Sequence, residues 1–252
     1  MLRLTKGRYA ARHAETEAEV AACQQLRHLS FVEGTGAMAR AGGYDRDAFD
    51  AACHHMMVEE TATGTLVCCF RILPLAHGGQ IAQSYSAQFY ELSALESFEG
   101  PMIELGRFCI HPGHTDPDIL RIAWAALTAY VDARGIKLLF GCSSFQGTDS
   151  ALYTDAFALL TEKHLAPKRW LPRVKAPRIF PFASGLARVK PDLKRAMQAM
   201  PPLLRTYLLM GGWVSDHAVV DRDLNTLHVF TGLEIGAIPP ARARLLRATA
   251  NA

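Results

Sequence analysis

The sequence predicts a mixed α/β fold, in which helices flank a central sheet of mostly antiparallel strands. Two patterns predict it. Strand-like apolar runs separated by turn residues occur within the first 90 residues, and a strand–helix–strand unit follows at 102–143. Two strands joined through such a crossover lie parallel in one sheet. The unit therefore adds a parallel pair to a sheet that begins antiparallel.

The composition is that of a globular protein. The chain has 252 residues, of which 50% are hydrophobic and 20% are charged. This length is sufficient for one sizeable core. We expect a single domain over residues 1–252, with a C-terminal extension from about residue 165 packed on the core.

The first half of the chain begins with a helix, because apolar residues recur at helical spacing between Glu15 and Leu29. The turn sequence Thr61–Gly64 is a suitable hairpin connection between two strands. The elements predicted after the helix are a glycine-rich loop over 34–43, an acidic segment over 45–50, strands over 55–59 and 65–73, and a weakly alternating strand over 80–90.

The crossover unit has the clearest pattern. Strands are predicted at Met102–Ile110 and Ile136–Ser143, with a helix at Pro117–Ala133 between them. Asp116 is a suitable N-cap for a helix that begins with proline, and Gly135 ends it. The elements predicted beyond the unit are a loop-rich basic stretch, a helix over 202–210, and strands over 217–220 and 226–233.

Several classes of protein are excluded by what the sequence lacks. It has no run of 18 apolar residues that would span a membrane, and its basic N-terminus has no apolar stretch typical of a secretory signal. The six cysteines are scattered without a Cys-x-x-Cys pair. They predict reduced thiols that fill the core of a cytoplasmic protein, and no metal site.

Positive charge is concentrated in one segment, which we call the basic block. Ten basic residues and a single acid, Asp192, lie between Lys163 and Arg195. Such a block is either a solvated face or a surface that contacts an acidic protein, a phosphate-bearing cofactor or lipid headgroups. Few aromatic residues accompany it, and no nucleic-acid-binding motif is present, so nucleic acid is not expected as a partner.

Glu104 and Arg107 are unusual charged residues in an apolar strand. Being three positions apart, they would lie on opposite faces of a regular strand, but Gly106 between them favours a bulge. A bulge would leave backbone N–H groups available for a thioester oxygen and for a pantetheine phosphate. The alternative is a structural ion pair.

Three further signals precede this strand. Asp47 and Asp50 follow the glycine-rich loop, where they could be simple helix N-caps. His54 and His55 begin a strand, so that one ring points inward and the other outward. Arg71 lies in an apolar strand, where a charge needs a partner.

The chain carries, in this order, Arg27, Phe31, Asp47, Asp50, Phe70–Pro74 and Glu104–Phe108. In order and spacing this set resembles the acyl-homoserine-lactone synthase family. Four segments, at 49–55, 104–112, 140–149 and 221–226, carry a closer resemblance to the ornithine N-alpha-acyltransferases that begin ornithine-lipid synthesis. The resemblance covers roughly residues 20–235. His54 departs from it, because an acidic residue is usual beside His55.

The resemblance implies a Gcn5-related N-acyltransferase fold and assigns roles to the residues noted above. Glu104 is the first choice for the base that deprotonates the acceptor's α-amine, and His55 is the second; the two could act as a pair. Arg71 or Arg107 would hold the acceptor's carboxylate. Two aspartates would hold its second, cationic amine. The complete set expected to bind the acceptor is Asp47, Asp50, Arg71, Arg107 and Arg27.

The implied reaction is transfer of a 3-hydroxyacyl chain from acyl carrier protein to ornithine. No cofactor is expected to bind, because the donor carries its own 4′-phosphopantetheine. The basic block would receive the acidic carrier through Lys168, Arg169, Lys175 and Arg178. Peripheral contact with an anionic membrane is the other expected use of the block. The alternatives are an acyl-homoserine-lactone synthase that uses S-adenosylmethionine, and an inactive fold that only binds the carrier or a membrane.

Overall fold

The computed structural model describes residues 3–38 and 41–250. Positions 39 and 40 of the predicted glycine-rich loop lie outside the described residues. The strands of the described part are β1 (Arg3–Lys6), β2 (Tyr9–His13), β3 (His54–Glu60), β4 (Leu66–Leu75), β5 (Tyr90–Glu91), β6 (Met102–Ile110), β7 (Leu138–Gln146), β8 (Arg173–Val174), β9 (Ile179–Phe180), β10 (Trp213–Val214), β11 (Ala218–Asp221) and β12 (Thr226–Glu234). Its helices are α1 (Glu17–Phe31), α2 (Pro117–Ala133), α3 (Thr154–Lys163), α4 (Phe182–Gly185), α5 (Leu193–Ala199), α6 (Pro202–Leu209) and α7 (Pro240–Ala250).

The chain divides into two compact units. The first comprises the described residues up to Pro74, Leu105–Ile136, and those from Pro239 onward. The second comprises Leu75–Glu104 and Lys137–Ile238. The expected single domain with a packed C-terminal extension stays a prediction.

The first unit is built on antiparallel pairing of β1 with β2, of β2 with β3, and of β3 with β4. Helix α2 packs on β1, β2 and β3, and α7 packs on α2. Helix α1 begins with a capping box, in which the Thr16 side chain accepts from the Glu19 N–H. Buried thiols of Cys23, Cys69 and Cys109 fill the core below it. The predicted core role is confirmed for four of the six cysteines, whereas Cys53 and Cys142 are half-buried.

The second unit contains the crossover's parallel pair. Strands β6 and β7 pair from Met102↔Leu138 to Glu104↔Phe140, and β7 then pairs antiparallel with the full length of β12. Strands β11 and β10 also pair with β12. A cluster of aromatic side chains that includes Phe145, Phe157 and Phe182 forms the core between these strands and helices α3, α4 and α5.

The mixed, mostly antiparallel sheet with flanking helices confirms the predicted fold class. The bounds of β6 and α2 agree with the prediction, and Asp116 caps α2 as expected. The predicted strand over 80–90 is wrong. Residues 78–83 and 86–88 form 3₁₀ turns, and only β5 is extended, pairing with β8 in a separate two-stranded sheet. Local hydrogen bonds of serine side chains, such as Ser84 Oγ to the Ile81 carbonyl, stabilise turns there.

Among the described residues, the structure has no helix that is both long and apolar enough to cross a bilayer.

Candidate active site

Three arginines and three aspartates form one buried charge cluster in the first unit. Arg27 donates to Asp45 Oδ2 (2.9 Å) and Asp50 Oδ1 (2.7 Å). Arg71 donates to both oxygens of Asp47 (2.5 and 2.8 Å) and to Asp50 Oδ1 (2.6 Å). Arg107 donates to Asp45 Oδ2 (2.8 Å) and Asp47 Oδ2 (3.2 Å). We call these six residues the charge cluster.

The cluster combines the sequence-predicted Arg27, Arg71, Arg107, Asp47 and Asp50 with one residue that the sequence analysis did not single out, Asp45. Its formal charges cancel, which is how charges taken out of water remain stable. Asp45 is fully buried, whereas 21% of the Asp47 side chain is exposed. Asp47 is therefore the carboxylate of the cluster most accessible to a ligand.

Charge pairing controls ionisation in the cluster. Burial alone would raise the pKa of Asp50, but the hydrogen bonds and charges of Arg27 and Arg71 outweigh burial and hold that pKa at about 2. Burial likewise opposes the charge of Arg71, and hydrogen bonding to Asp47 overcomes it, so that the Arg71 pKa is raised. Asp50 and Arg71 therefore both stay ionised at neutral pH.

This arrangement predicts a loss of stability in acid. Because the folded-state pKa of Asp50 is depressed to about 2, its contribution is present above its unfolded value near 3.9 and is lost as the pH falls through about 2. The expected loss is on the order of 2 kcal/mol in the free energy of unfolding. Urea titrations at several pH values, with Asp50→Asn for comparison, measure it. The gap between the two proteins should narrow below pH 4, and a constant gap would contradict the assignment.

The backbone is irregular where the sequence predicted a bulge in β6. The irregularity falls at Arg107, which has a left-handed φ of 53°, an uncommon value for a residue other than glycine. A Cβ placed on Gly106 would lie 3.5 Å from Arg71 Nε, an ordinary van der Waals contact. The strained conformation is held by the two hydrogen bonds from Arg107 to the cluster's aspartates.

Glu104 lies in the second unit, where the parallel pairing of β6 with β7 reaches Phe140. Its buried carboxylate accepts hydrogen bonds from Tyr85 N–H (2.7 Å), Ser86 N–H (2.7 Å) and Ser86 Oγ–H (2.5 Å). Donors of this kind stabilise an ionised carboxylate and fix its orientation. Burial, followed by the charge of Glu104, raises the pKa of the nearby Tyr207.

His55 lies in the first unit with its ring buried and its Nε2 3.0 Å from the Asp50 carbonyl oxygen. Burial lowers its pKa, which keeps the imidazole neutral and able to accept a proton. His54 points elsewhere, with Nδ1 2.8 Å from the Tyr130 hydroxyl. Both histidines and Asp50 line a cavity of about 830 Å³ in this unit.

The four candidate carrier-binding cations, all exposed in the second unit, differ in their partners. Arg169 pairs with Glu234 at 3.3 Å, and Lys175 Nζ donates to the Ala87 carbonyl at 2.6 Å. For Lys168 and Arg178 the structure gives no acidic partner among the described residues. All four are accessible to a partner surface.

Three residues of the charge cluster and of the surroundings of Glu104 were not predicted from the sequence. Asp45 could have been predicted, because it is the third aspartate of the acidic segment and a third arginine in apolar surroundings needs a carboxylate partner. Ser86 and Tyr207 had none, since Ser86 acts through its hydrogen bonds to Glu104 and Tyr207 feels the charge of Glu104, and both are distant from it in the sequence.

Comparisons with known proteins identify similar sequences and folds. Residues 26–125 match the family model described as an acetyltransferase (GNAT) domain. The chain is 33% identical to an L-ornithine N(alpha)-acyltransferase of Rhodobacter capsulatus, with 91% of each chain covered. It is 28% identical to a protein of the same name from Brucella abortus, with 97% of this chain and 91% of that one covered.

Two solved structures share the fold. One is an N-acyl amino acid synthase from uncultured soil microbes, 13% identical, with a TM-score of 0.51 and 97% of each chain covered. The other is a CoA-dependent acyl-homoserine lactone synthase, 12% identical, with a TM-score of 0.52 and 93% of this chain and 83% of that one covered. At these identities the likeness establishes the Gcn5-related N-acyltransferase fold alone.

Proposed function

Because the chain belongs to the family of L-ornithine N(alpha)-acyltransferases, we propose that it transfers a 3-hydroxyacyl chain from acyl carrier protein to the α-amine of ornithine. The product is a lyso-ornithine lipid. The observation that carries the proposal is 33% identity to the Rhodobacter capsulatus acyltransferase over 91% of both chains. No cofactor is bound in this reaction, since the donor brings its own 4′-phosphopantetheine.

The reaction requires a base. An α-amine has an ordinary pKa near ~8, so most of it carries an extra proton at neutral pH and cannot attack. In our proposal Glu104 removes that proton, directly or through one water, and His55 is the alternative or a partner. The amine nitrogen then forms a bond to the acyl carbon. The carbon–sulfur bond breaks, the nitrogen loses a further proton as it becomes the amide, and that proton passes to the sulfur, so that pantetheine leaves as a thiol.

The charge cluster supports binding of an acceptor with both charges. Ornithine at neutral pH carries a carboxylate and amines, so its carboxylate matches the guanidinium of Arg71 or Arg107. Its second, cationic amine matches Asp47 and Asp50. Asp47 is the most accessible of these carboxylates (21% exposed). We therefore propose that ornithine enters the charge cluster by first replacing the arginines that pair with Asp47.

The proposed activity has a direct test. The purified chain is incubated with 3-hydroxyacyl carrier protein and either ornithine or S-adenosylmethionine, and products are separated by liquid chromatography and identified by mass. Acyl-ornithine is expected from the first acceptor only. A lactone from S-adenosylmethionine without any acyl-ornithine would identify a lactone synthase instead. Lipid extracts from a heterologous host that expresses the chain provide the same test in cells.

We propose that the acidic carrier docks on Lys168, Arg169, Lys175 and Arg178, and that the enzyme acts in the cytoplasm with peripheral contact to the inner membrane face. Their exposure supports the carrier assignment. Electrostatic attraction between oppositely charged surfaces accelerates encounter more than it changes later steps.

The proposed carrier site predicts that charge reversal there weakens the use of acyl carrier protein as donor but not the use of a donor without a protein. Lys168→Glu with Arg169→Glu should raise the KM for acyl carrier protein roughly tenfold or more, because like charges now meet at the interface. Losing the exposed Arg169–Glu234 pair should cost the fold little. With a short acyl-pantetheine as donor, activity should be unchanged. Steady-state kinetics with both donors measure this, and an equal effect on both would place the carrier elsewhere.

A further inference from the structure

Exposed apolar side chains and weakly paired cations occur together around α5, in the second half of the basic block. We define the α5 surface as eight residues of the second unit: the apolar Leu152, Val189, Leu193 and Met197, and the cationic Arg188, Lys190, Lys194 and Arg195. Isolated exposed apolar residues are ordinary on any protein. A group of them among mostly cationic side chains is not, and indicates a contact surface, with Asp192 and Asp155 as the acids beside it.

Helix α5 has one side buried in the core and another side exposed to solvent. Ala196 and Met200 are buried in the core of the unit, which anchors the helix. Leu193 and Met197, four positions apart on one flank of the helix, remain 53% and 40% exposed. Asp192 caps the helix by accepting from the Lys194 N–H. The exposed flank is therefore a fixed feature of the folded unit.

The apolar character continues on both sides of α5. Leu152, 68% exposed, lines a shallow cavity of about 510 Å³ together with Arg195 of the helix. Val189, 40% exposed, lies in the turn before the helix, where its N–H donates to the Leu186 carbonyl. Leu152 therefore lies beside the side of α5 that carries Arg195, whereas Leu193 and Met197 lie on the other flank of the helix.

The cations of the α5 surface are less engaged than those in the first half of the basic block. Among the described residues, the structure gives Arg188, Lys190 and Lys194 no acidic partner. The Arg195 side chain makes a long contact of 3.8 Å with Asp192. In the first half, by contrast, Arg169 pairs with Glu234 and Lys175 is held by a carbonyl. Lys168 and Arg178 of the first half resemble the α5 cations in having no acidic partner among the described residues, so the contrast rests on Arg169 and Lys175.

We infer that the α5 surface docks the enzyme on the anionic face of a lipid bilayer. Leucine, methionine and valine side chains would enter the boundary between headgroups and acyl chains, while lysine and arginine contact anionic headgroups. An anionic bilayer can contact both the apolar side chains and the cations of the α5 surface, whereas an acidic soluble protein would pair only with the cations. The inference goes beyond the transfer reaction, although an amphipathic product of the proposed function would give the docking a use.

Flotation of the purified full chain with vesicles tests the inference. The wild type should float with vesicles that contain phosphatidylglycerol and much less with pure phosphatidylcholine, and salt should weaken the binding. Lys190→Glu with Lys194→Glu should reduce the partition coefficient onto the vesicles roughly tenfold or more. A glutamate at position 194 lies in the first turn of α5, where a negative charge is favourable, so the fold should persist.

A second variant, Leu193→Ser with Met197→Ser, removes the apolar part and should weaken flotation while leaving thermal unfolding nearly unchanged. Two matched controls exist. Leu245→Ser removes an equally exposed leucine (57%) from the first unit, and Lys168→Glu with Arg169→Glu reverses two charges of the other half. Both controls should float like the wild type.

Other outcomes would overturn the inference. They are a wild type that does not float, variants that float unchanged, or a raised carrier KM in Lys190→Glu with Lys194→Glu, which would make this surface part of the carrier site. Self-association that the serine variant abolishes, without vesicle binding, would assign the surface to a second copy of the chain. Acyl-ornithine formation is assayed without vesicles, so a failure of the proposed function leaves flotation intact and is recognised separately.

Discussion

Glu104→Gln is expected to lower kcat by roughly 10²–10⁴-fold, the usual cost of removing a general base. The KM for ornithine should change far less, because in our proposal Glu104 acts on the proton and other residues hold the acceptor. Glutamine keeps the shape of the side chain but cannot take up a proton at neutral pH. Steady-state kinetics at saturating carrier, and the pH dependence of kcat, measure the effect.

The same substitution has a structural cost that must be separated from the chemical one. The carboxylate accepts from Tyr85 N–H, Ser86 N–H and Ser86 Oγ–H, and an amide would turn an N–H group toward at least one of these donors. The expected loss is about 1–3 kcal/mol in the free energy of unfolding. Ser86→Ala is the matched control, since it removes one of the hydrogen bonds and leaves the carboxylate. It should lower stability with less than about tenfold loss of kcat.

His55→Ala distinguishes a single base from a working pair. If the two residues act together, it should lower kcat by an amount comparable to Glu104→Gln, and the double variant should be little worse than either single one. Additive losses would mean independent roles. An effect of Glu104→Gln below about threefold in a folded protein would reassign that glutamate to holding the turn at Tyr85 and Ser86.

The elements that local signals specify were predicted well. Helix α2 has an N-cap, a proline at its first position and a long apolar face, and these agree with one another. The run over 80–90 lacked such agreement. Its serines and glutamines alternate weakly, and their hydrogen bonds to nearby backbone stabilise turns instead of a strand. Alternation alone could not distinguish the two outcomes.

For the candidate site, residue types, spacing and the family resemblance together identified five members of the charge cluster but not how they pair. The sequence indicates that Arg71 needs a partner in an apolar strand, yet three aspartates were available. Which carboxylate meets which guanidinium depends on the path of the chain from α1 to β6. The partners of Glu104 come from turns that were predicted to be a strand. The sequence therefore predicted the chemical groups of the site better than their contacts.

Asp45→Asn should destabilise the protein far more than the loss of an exposed ion pair. Asp45 is fully buried and is the shared acceptor of Arg27 and Arg107. Asparagine is nearly the same size, so the change removes the negative charge and leaves the cluster with three guanidinium groups and two carboxylates. An uncompensated charge in a buried ion pair costs about 3–5 kcal/mol. This is a large part of the roughly 5–15 kcal/mol that typically stabilises a domain.

An exposed aspartate of the same unit provides the control. Asp132 accepts two hydrogen bonds from Arg247, at 2.8 and 2.9 Å, but both side chains are well exposed to water. Because solvent screens this pair, Asp132→Asn should cost at most about 1 kcal/mol. Urea unfolding of the two variants beside the wild type measures the difference. Similar losses of unfolding free energy in both variants would mean that burial does not strengthen the Asp45 ion pairs. The charge cluster would then serve ligand binding without also holding Arg107 in its strained conformation.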